Sequence, residues 1–352
     1  AQGRPSGVPP DYDVILMDYL GIGENARHRL PAQMAIESQG EAVAALARHL
    51  NVKNLVLWGA SFGTAVATVA AARLTAPSPN NLMKGGLAGV ILDGTAGPGR
   101  MRDYREDQFT AASNIWNSLS AEEQNGFMQR YNSFTQQMSP KERFSFNRSL
   151  RMVLISGRKF AAESMRAPSM DFFRRIQENV PSVDQMYARF QAGPARELYR
   201  AAGCQIMGYK NEAFQMQAIF GGLVPFEEVD GVCRCRTVER AWNPSDYPIQ
   251  GVPLVYLNSG ADPSTPMEWA RQHFNSQAQA LGRAFLVFPD GGHGASLYGE
   301  SPITGCTGMI LSAVFHNNVS ILEPQAEELA QGRCPRSSPA EIAPLKLQSS
   351  GQ

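Results

Sequence analysis

Three side chains in this sequence have the types and settings that nucleophilic acyl chemistry requires: Ser61, Asp262 and His293. Ser61 is the centre of Gly59-Ala60-Ser61-Phe62-Gly63, which joins an apolar run at 54–58 to an alanine-rich stretch at 64–74. A Gly-x-Ser-x-Gly turn between a strand and a helix holds its serine in a sharp, strained bend with the hydroxyl clear of the sheet. Gly59 and Gly63 stand where a side chain would collide with the packed strand and helix. Ala65, Ala67, Ala70 and Ala71 let that helix lie close to the sheet. The helix N-terminus then turns its free N–H groups toward any anion formed beside the serine, with that of Phe62 as the expected oxyanion donor. The bare pattern also occurs in ordinary Gly-rich turns. Its strand-then-helix setting selects the nucleophile reading.

A serine hydroxyl is a weak nucleophile at neutral pH, so a base must stand within hydrogen-bond reach and a carboxylate must orient the base. The expected chain order is Ser, then Asp or Glu, then His, with the last two each following a late strand. Asp262 lies in Gly260-Ala261-Asp262-Pro263-Ser264-Thr265-Pro266, directly after an apolar run at 252–257. An Asx-turn or helix cap ahead of Met267 would explain an aspartate there equally well. Position and chain order favour the catalytic reading. His293 lies in Asp290-Gly291-Gly292-His293-Gly294 after the run at 284–288, and its flanking glycines free the backbone to present an imidazole. Asp290 and Asp93 are the rival acids. Among the other histidines, His28 and His49 precede the serine, His273 falls in a polar helix and His316 in the terminal helix.

The elements that must hold these residues read as alternating strands and helices. Apolar runs at 13–17, 54–58, 87–92, 252–257 and 284–288 lack strict alternation, as strands covered on both faces do. Helical spacing appears at 34–50, 267–281 and 307–315. The predicted fold class is therefore α/β, with a mostly parallel sheet flanked by helices. From residue 100 the texture changes to Arg, Gln, Met, Phe and Tyr with no strand, and 147–160, 170–180 and 183–190 read as helices. The expected organisation is a core of residues 1–99 and 243–352 interrupted by a helical cap domain at 100–242.

Composition excludes several classes. The chain has 32 basic and 32 acidic residues and no net charge, which argues against nucleic acid or an anionic membrane as a partner. Apolar residues make up 43% of the chain, and no run approaches the length of a membrane span. Of the five cysteines, Cys334 lies in a polar, Pro-rich tail, where a staple is a better explanation than a core thiol. The expected pairs are Cys306 with Cys334, and Cys204 with Cys233 or Cys235, which leaves one thiol over. Cys233-x-Cys235 has no matching pair to complete a zinc site. Neither metal nor cofactor is expected.

Together these residues give the chain a resemblance to α/β-hydrolase-fold serine peptidases of the proline iminopeptidase and tripeptidyl aminopeptidase type. The resemblance rests on Trp58-Gly59-Ala60-Ser61-Phe62-Gly63, Asp18-Tyr19-Leu20-Gly21-Ile22-Gly23, Leu92-Asp93-Gly94, Gly260-Ala261-Asp262-Pro263-Ser264-Thr265-Pro266 and Gly292-His293-Gly294. It covers residues 12–99 and 250–335. It implies release of residues from free peptide N-termini, with carboxylates of a helical cap binding the substrate's α-ammonium. Glu227, Glu228 and Asp230 are candidates for that role. Met207, Phe214, Met216 and Phe220 are candidate pocket residues that core packing explains as well. The resemblance and the cysteines together imply a secreted or periplasmic protein.

Two departures stand out. The family usually has Asp-Gln-Arg-Gly where this chain has Asp18-Tyr19-Leu20-Gly21. A complete member also carries about three strands, and a His-Gly-Gly-Pro-Gly loop with an oxyanion N–H, ahead of the strand expected at 13–17. The reading therefore expects the N-terminal strands of the fold to be missing from this chain. The substrate is expected to be a peptide or a small ester. Two alternatives remain: an esterase or lipase with the same triad, and a non-catalytic binding protein of the same fold.

Overall fold

The structure is a computed structural model describing residues 8–27, 35–77, 86–98, 116–155, 165–166, 168–191, 197–198, 241–260, 262, 264–288, 293, 305–331 and 333–334. Four apolar runs become strands: β1 (Leu55–Ala60), β2 (Leu87–Asp93), β3 (Pro253–Ser259) and β4 (Gly282–Phe288). They pair in that order and all in parallel. Ala60 lies opposite Asp93, Asp93 opposite Leu257, and Ser259 opposite Phe288, so the carboxyl ends of β3 and β4 project two residues beyond those of β1 and β2. That edge is where α/β sheets present their ligand-facing groups.

Parallel neighbours require crossovers, and helices supply them. Helix α2 (Phe62–Thr75) lies between β1 and β2 and α6 (Met267–Ser276) between β3 and β4, while α1 (Ile36–His49) precedes β1 and α7 (Thr307–Phe315) follows β4. Strand alternation divides the core into two layers. Ile91, Val255, Leu257 and Leu286 pack against Ile310, Leu311 and Val314 of α7. Leu57, Val90, Leu92, Leu254 and Tyr256 pack against Ala67, Ala70, Ala71 and Leu74 of α2. Every residue of β3 is buried, which is why it reads as an unbroken apolar run. Helix α2 is buried around almost its whole circumference, held between the sheet and α1. A Cβ on Gly40 of α1 would stand 2.5 Å from the Val69 side chain, so this glycine sets how closely the two helices approach.

Among the described residues between β2 and β3 are the helices α3 (Ala121–Thr135), α4 (Pro140–Ile155) and α5 (Met170–Gln191). They share an apolar core of their own, including Phe127, Tyr131, Phe146, Leu150, Phe173 and Ile176. Helix α3 has no counterpart in the sequence reading, although Ser120 and Glu123 form a capping box that marks its start. The expected break between 180 and 183 does not occur. Helix α5 continues through Pro181, which removes one backbone donor without ending it.

One predicted strand is corrected. Residues 13–17 form no strand, and Val14, Ile15 and Leu16 are 38%, 51% and 58% exposed. An apolar run becomes a strand only where a neighbour takes up its backbone hydrogen bonds, and no described strand lies beside this one. At the β4 edge of the described sheet, the Phe285 N–H donates to the Glu323 carboxylate at 2.8 Å, which blunts that edge.

The expected Cys306–Cys334 disulfide is present, tying the residue that precedes α7 to the end of the described chain. Cys204, Cys233 and Cys235 lie outside the described residues. Among the described residues no helix is long and apolar enough to cross a membrane.

Candidate active site

Ser61 occupies the bend between β1 and α2 with φ +51° and ψ −122°. Holding an L-residue there costs about 1–3 kcal/mol, so the surroundings must over-determine the bend. They do so from both sides. The Ser61 N–H donates to the Asp93 carbonyl at 2.8 Å, and the Thr64 N–H donates to the Ser61 carbonyl at 2.9 Å. The Thr64 hydroxyl donates to the same carbonyl at 2.6 Å and accepts the Ala96 N–H at 2.8 Å. The two glycines of the motif have different neighbours. A Cβ on Gly59 would lie 2.3 Å from the Gly63 carbonyl oxygen, so any side chain there would force strand and helix apart. A Cβ on Gly63 would instead meet the Tyr19 hydroxyl, at 3.1 Å. Phe62 opens α2, so its N–H has no partner within the helix and is open to a ligand beside Ser61.

Strands β3 and β4 lead to the other two residues. His293 Nε2 lies 2.8 Å from Ser61 Oγ. Its Nδ1 lies 2.9 Å from Asp262 Oδ2 and 3.1 Å from Oδ1. The Thr265 hydroxyl donates to Asp262 Oδ2 at 2.6 Å, so toward Nδ1, at 3.3 Å, it has only a lone pair to offer. That network places the imidazole proton on Nδ1 and leaves Nε2 free to receive the serine proton. Asp262 is 4% exposed. Its Oδ1 also accepts the N–H groups of Ser264 at 2.8 Å and Thr265 at 3.0 Å. The two readings of this aspartate are thus geometrically compatible: Oδ1 closes the turn while Oδ2 lies nearest the imidazole.

Electrostatics follow from this placement. Burial pulls the His293 pKa down, but the Asp262 hydrogen bond and the charges of Asp262 and Asp93 outweigh it, and the imidazole ends above its ordinary value. Asp93, buried at the end of β2, contributes charge, while the hydrogen bond to the imidazole comes from Asp262. Gly94 follows with φ +61°. A Cβ there would lie 3.0 Å from Thr265 Oγ1 and 3.4 Å from His293 Cε1, so the close-packed acid and base need a glycine beside them.

His273 falls in α6, as the sequence placed it, and is fully buried there although the helix is polar in composition. The Thr68 hydroxyl spends its proton on the Thr64 carbonyl at 2.7 Å, so it accepts from His273 Nε2 at 2.9 Å. Nδ1 then accepts from the Tyr256 hydroxyl at 3.0 Å. Burial pushes this imidazole down to about 3. His49 and His316 lie at helix ends on the surface. His28, Asp290, the pocket candidates Met207, Phe214, Met216 and Phe220, and the candidate ammonium-binding residues Glu227, Glu228 and Asp230 lie outside the described residues.

Sequence reasoning missed Thr64, Thr265 and Tyr19. The two threonines each stand three residues after a site residue, a spacing at which a hydroxyl reaches back to it. Nothing local marks Tyr19.

The sequence profile of the α/β-hydrolase fold family matches residues 5–300. The chain belongs to that family. Proteins of solved structure that it resembles include a proline iminopeptidase from Mycobacterium smegmatis, with 16% identity, coverage of 85% of this chain and 79% of that one, and a TM-score of 0.43. VinJ is similar at 14% identity, 84% and 79% coverage, and a TM-score of 0.43. An esterase from Exiguobacterium antarcticum is similar at 13% identity, with coverage of 84% and 79% and a TM-score of 0.39. No curated protein matches the chain.

Proposed function

We propose that this α/β-hydrolase is a serine hydrolase acting by acyl transfer through Ser61, and that it is an aminopeptidase releasing proline or short peptides from free N-termini. The observation that carries the acyl-transfer reading is the continuous hydrogen-bonded line from Ser61 Oγ through His293 to Asp262. Ser61 Oγ attacks the substrate carbonyl as His293 Nε2 takes its proton. Asp262, fixed by Thr265 and the turn N–H groups, holds the imidazole in the tautomer that can accept that proton and stabilises the imidazolium formed. The oxyanion faces the Phe62 N–H. The imidazolium then protonates the leaving amine, and water, deprotonated by His293 in turn, hydrolyses the acyl-enzyme. The aminopeptidase part rests on the sequence resemblance, above all on Asp262-Pro263-Ser264-Thr265-Pro266 and Trp58 before the bend.

Paired hydrolysis assays test both parts. Aminoacyl and short-peptide amides with free or acetylated N-termini are compared with p-nitrophenyl esters, for wild type and Ser61→Ala. Ser61-dependent amide cleavage that requires a free amine is the expected result. Ester cleavage alone would move the assignment to a carboxylesterase, and no Ser61-dependent turnover of any substrate would leave a binding protein.

A further inference from the structure

Among the described residues the acyl-transfer reading has one backbone oxyanion donor, the Phe62 N–H, where such chemistry normally uses two donors. A second donor has to reach the first turn of α2 from outside the helix. It has to be held rigidly, and it has to keep its proton for the anion.

Tyr19 meets these conditions. Its ring stands edge-on to the Phe62 ring, with centroids 5.2 Å apart and planes at 83°. Its hydroxyl reaches the first turn of α2, 3.1 Å from where a Cβ on Gly63 would stand. The glycine two residues after the nucleophile therefore leaves room for this hydroxyl. The loop carrying Tyr19 is fixed at several points. Gln39, buried in α1, accepts the Leu20 N–H at 2.8 Å and donates to the Leu20 carbonyl at 3.1 Å. The Tyr19 carbonyl accepts the Ile22 N–H at 3.1 Å, and the Asp18 carboxylate accepts the Glu24 N–H at 3.0 Å. Among the described residues the Tyr19 hydroxyl itself makes no hydrogen bond. Burial raises its pKa above the ordinary phenol value, so it stays a donor through the working range of an imidazole base.

We propose that the Tyr19 hydroxyl is the second oxyanion donor, closing on the tetrahedral intermediate of Ser61 opposite the Phe62 N–H. The hydroxyl neither gains nor loses a proton; it shares its hydrogen with the oxyanion while that charge exists and releases it when the carbonyl re-forms. This proposal rests on the acyl-transfer reading.

The test is Tyr19→Phe in the full chain, which keeps the ring contact with Phe62 and removes only the donor. The assays are p-nitrophenyl acetate turnover, inhibition by phenylboronic acid, which forms a tetrahedral anion on a serine, and the pH profile of kcat/KM. Loss of a single such donor lowers kcat by roughly 10²–10³-fold. The expected result is a drop of that order with KM within about twofold and phenylboronic acid bound more weakly by a similar factor. The acid limb of the pH profile and the thermal midpoint should not move, which a merely structural role would not produce. Ser61→Ala separates the two claims. Turnover lost in Ser61→Ala but kept within twofold in Tyr19→Phe, with inhibition unchanged, overturns the Tyr19 role and leaves the nucleophile standing. Turnover that survives Ser61→Ala overturns both. If Tyr19→Phe lowers the thermal midpoint, Tyr19→His, which restores a donor on a ring, decides the matter. Rescue of kcat supports the proposal, and no rescue overturns it.

Discussion

Two histidines, 20 residues apart in the chain (293 − 273), are both withdrawn from bulk water and yet have opposite chemistry. His293 faces a carboxylate, and its pKa rises despite burial. His273 faces two hydroxyls, and its pKa falls to about 3. Hydroxyl partners satisfy a neutral ring but do little for a charged one, whereas a carboxylate one hydrogen bond away favours the imidazolium. Protonation state is therefore decided by the charge of the partner, while depth of burial sets only the penalty to be overcome. Under the proposed acyl transfer the imidazolium would form at His293; at His273 it would be an unpaired buried charge.

The largest expected effect is on the chemical step. Ser61→Ala and His293→Ala should each lower turnover by roughly 10⁶-fold, and combining them should add little, because the two act as a unit. Steady-state kinetics of the single and double variants would show this, and multiplicative losses would break the picture of a coupled pair. Asp262→Asn should cost about 10⁴-fold in kcat by favouring the wrong tautomer, with the fold retained. Circular dichroism alongside kinetics would separate that from unfolding.

His273→Ala sharpens the contrast from the other side. It opens a cavity and leaves the Thr68 and Tyr256 hydroxyls without a shared partner, which should cost about 3–5 kcal/mol of stability. The kcat of the remaining folded protein should stay within a few-fold of wild type. Denaturant titration and active-site-normalised kinetics would read the two quantities, and a large loss of kcat without loss of stability would contradict a structural role.

The smallest effects are in pH, with opposite signs for the two rings. Between about pH 3 and 6.5 an unfolded chain protonates His273 and the folded one does not, so this residue makes stability fall as pH drops, by at most about 1.4 kcal/mol per pH unit. His293, with its folded pKa raised, contributes stability that is complete below the ordinary histidine value and is lost as pH rises through the folded one. The acid limb of kcat/KM should accordingly lie above about pH 6.5, the ordinary value for histidine. Replacing Asp93 with Asn removes one of the charges holding His293 up and should move that limb downward. A limb that stays put would remove Asp93 from the account.

Much of this arrangement is legible in local sequence. The runs at 54–58, 87–92, 252–257 and 284–288 are strands because both faces are covered. The same spacing misleads at 13–17, where no described neighbour takes up the backbone, so an apolar run stays exposed. Helix α6 misleads in the opposite direction. Its mean composition is polar, but one face carries Trp269, Ala270 and His273 into the core. Gly59, Ser61 and Gly63 announce the bend because backbone geometry and close approach are local demands that few residues meet.

The sequence by itself determined the α/β alternation, the strained serine, the chain order of serine, acid and base, and the Cys306–Cys334 pair. Periodicity, turn chemistry and residue type act over a few positions and leave marks there. Tertiary structure alone decided that His273 is core, held between the Thr68 and Tyr256 hydroxyls. It also decided that Asp262 serves a turn and an imidazole at once, and that Tyr19 stands against the helix after the nucleophile. Those outcomes depend on contacts such as Ser61 with His293, 232 residues apart, and hydrogen-bond direction and electrostatic field exist only once such distant segments are packed together.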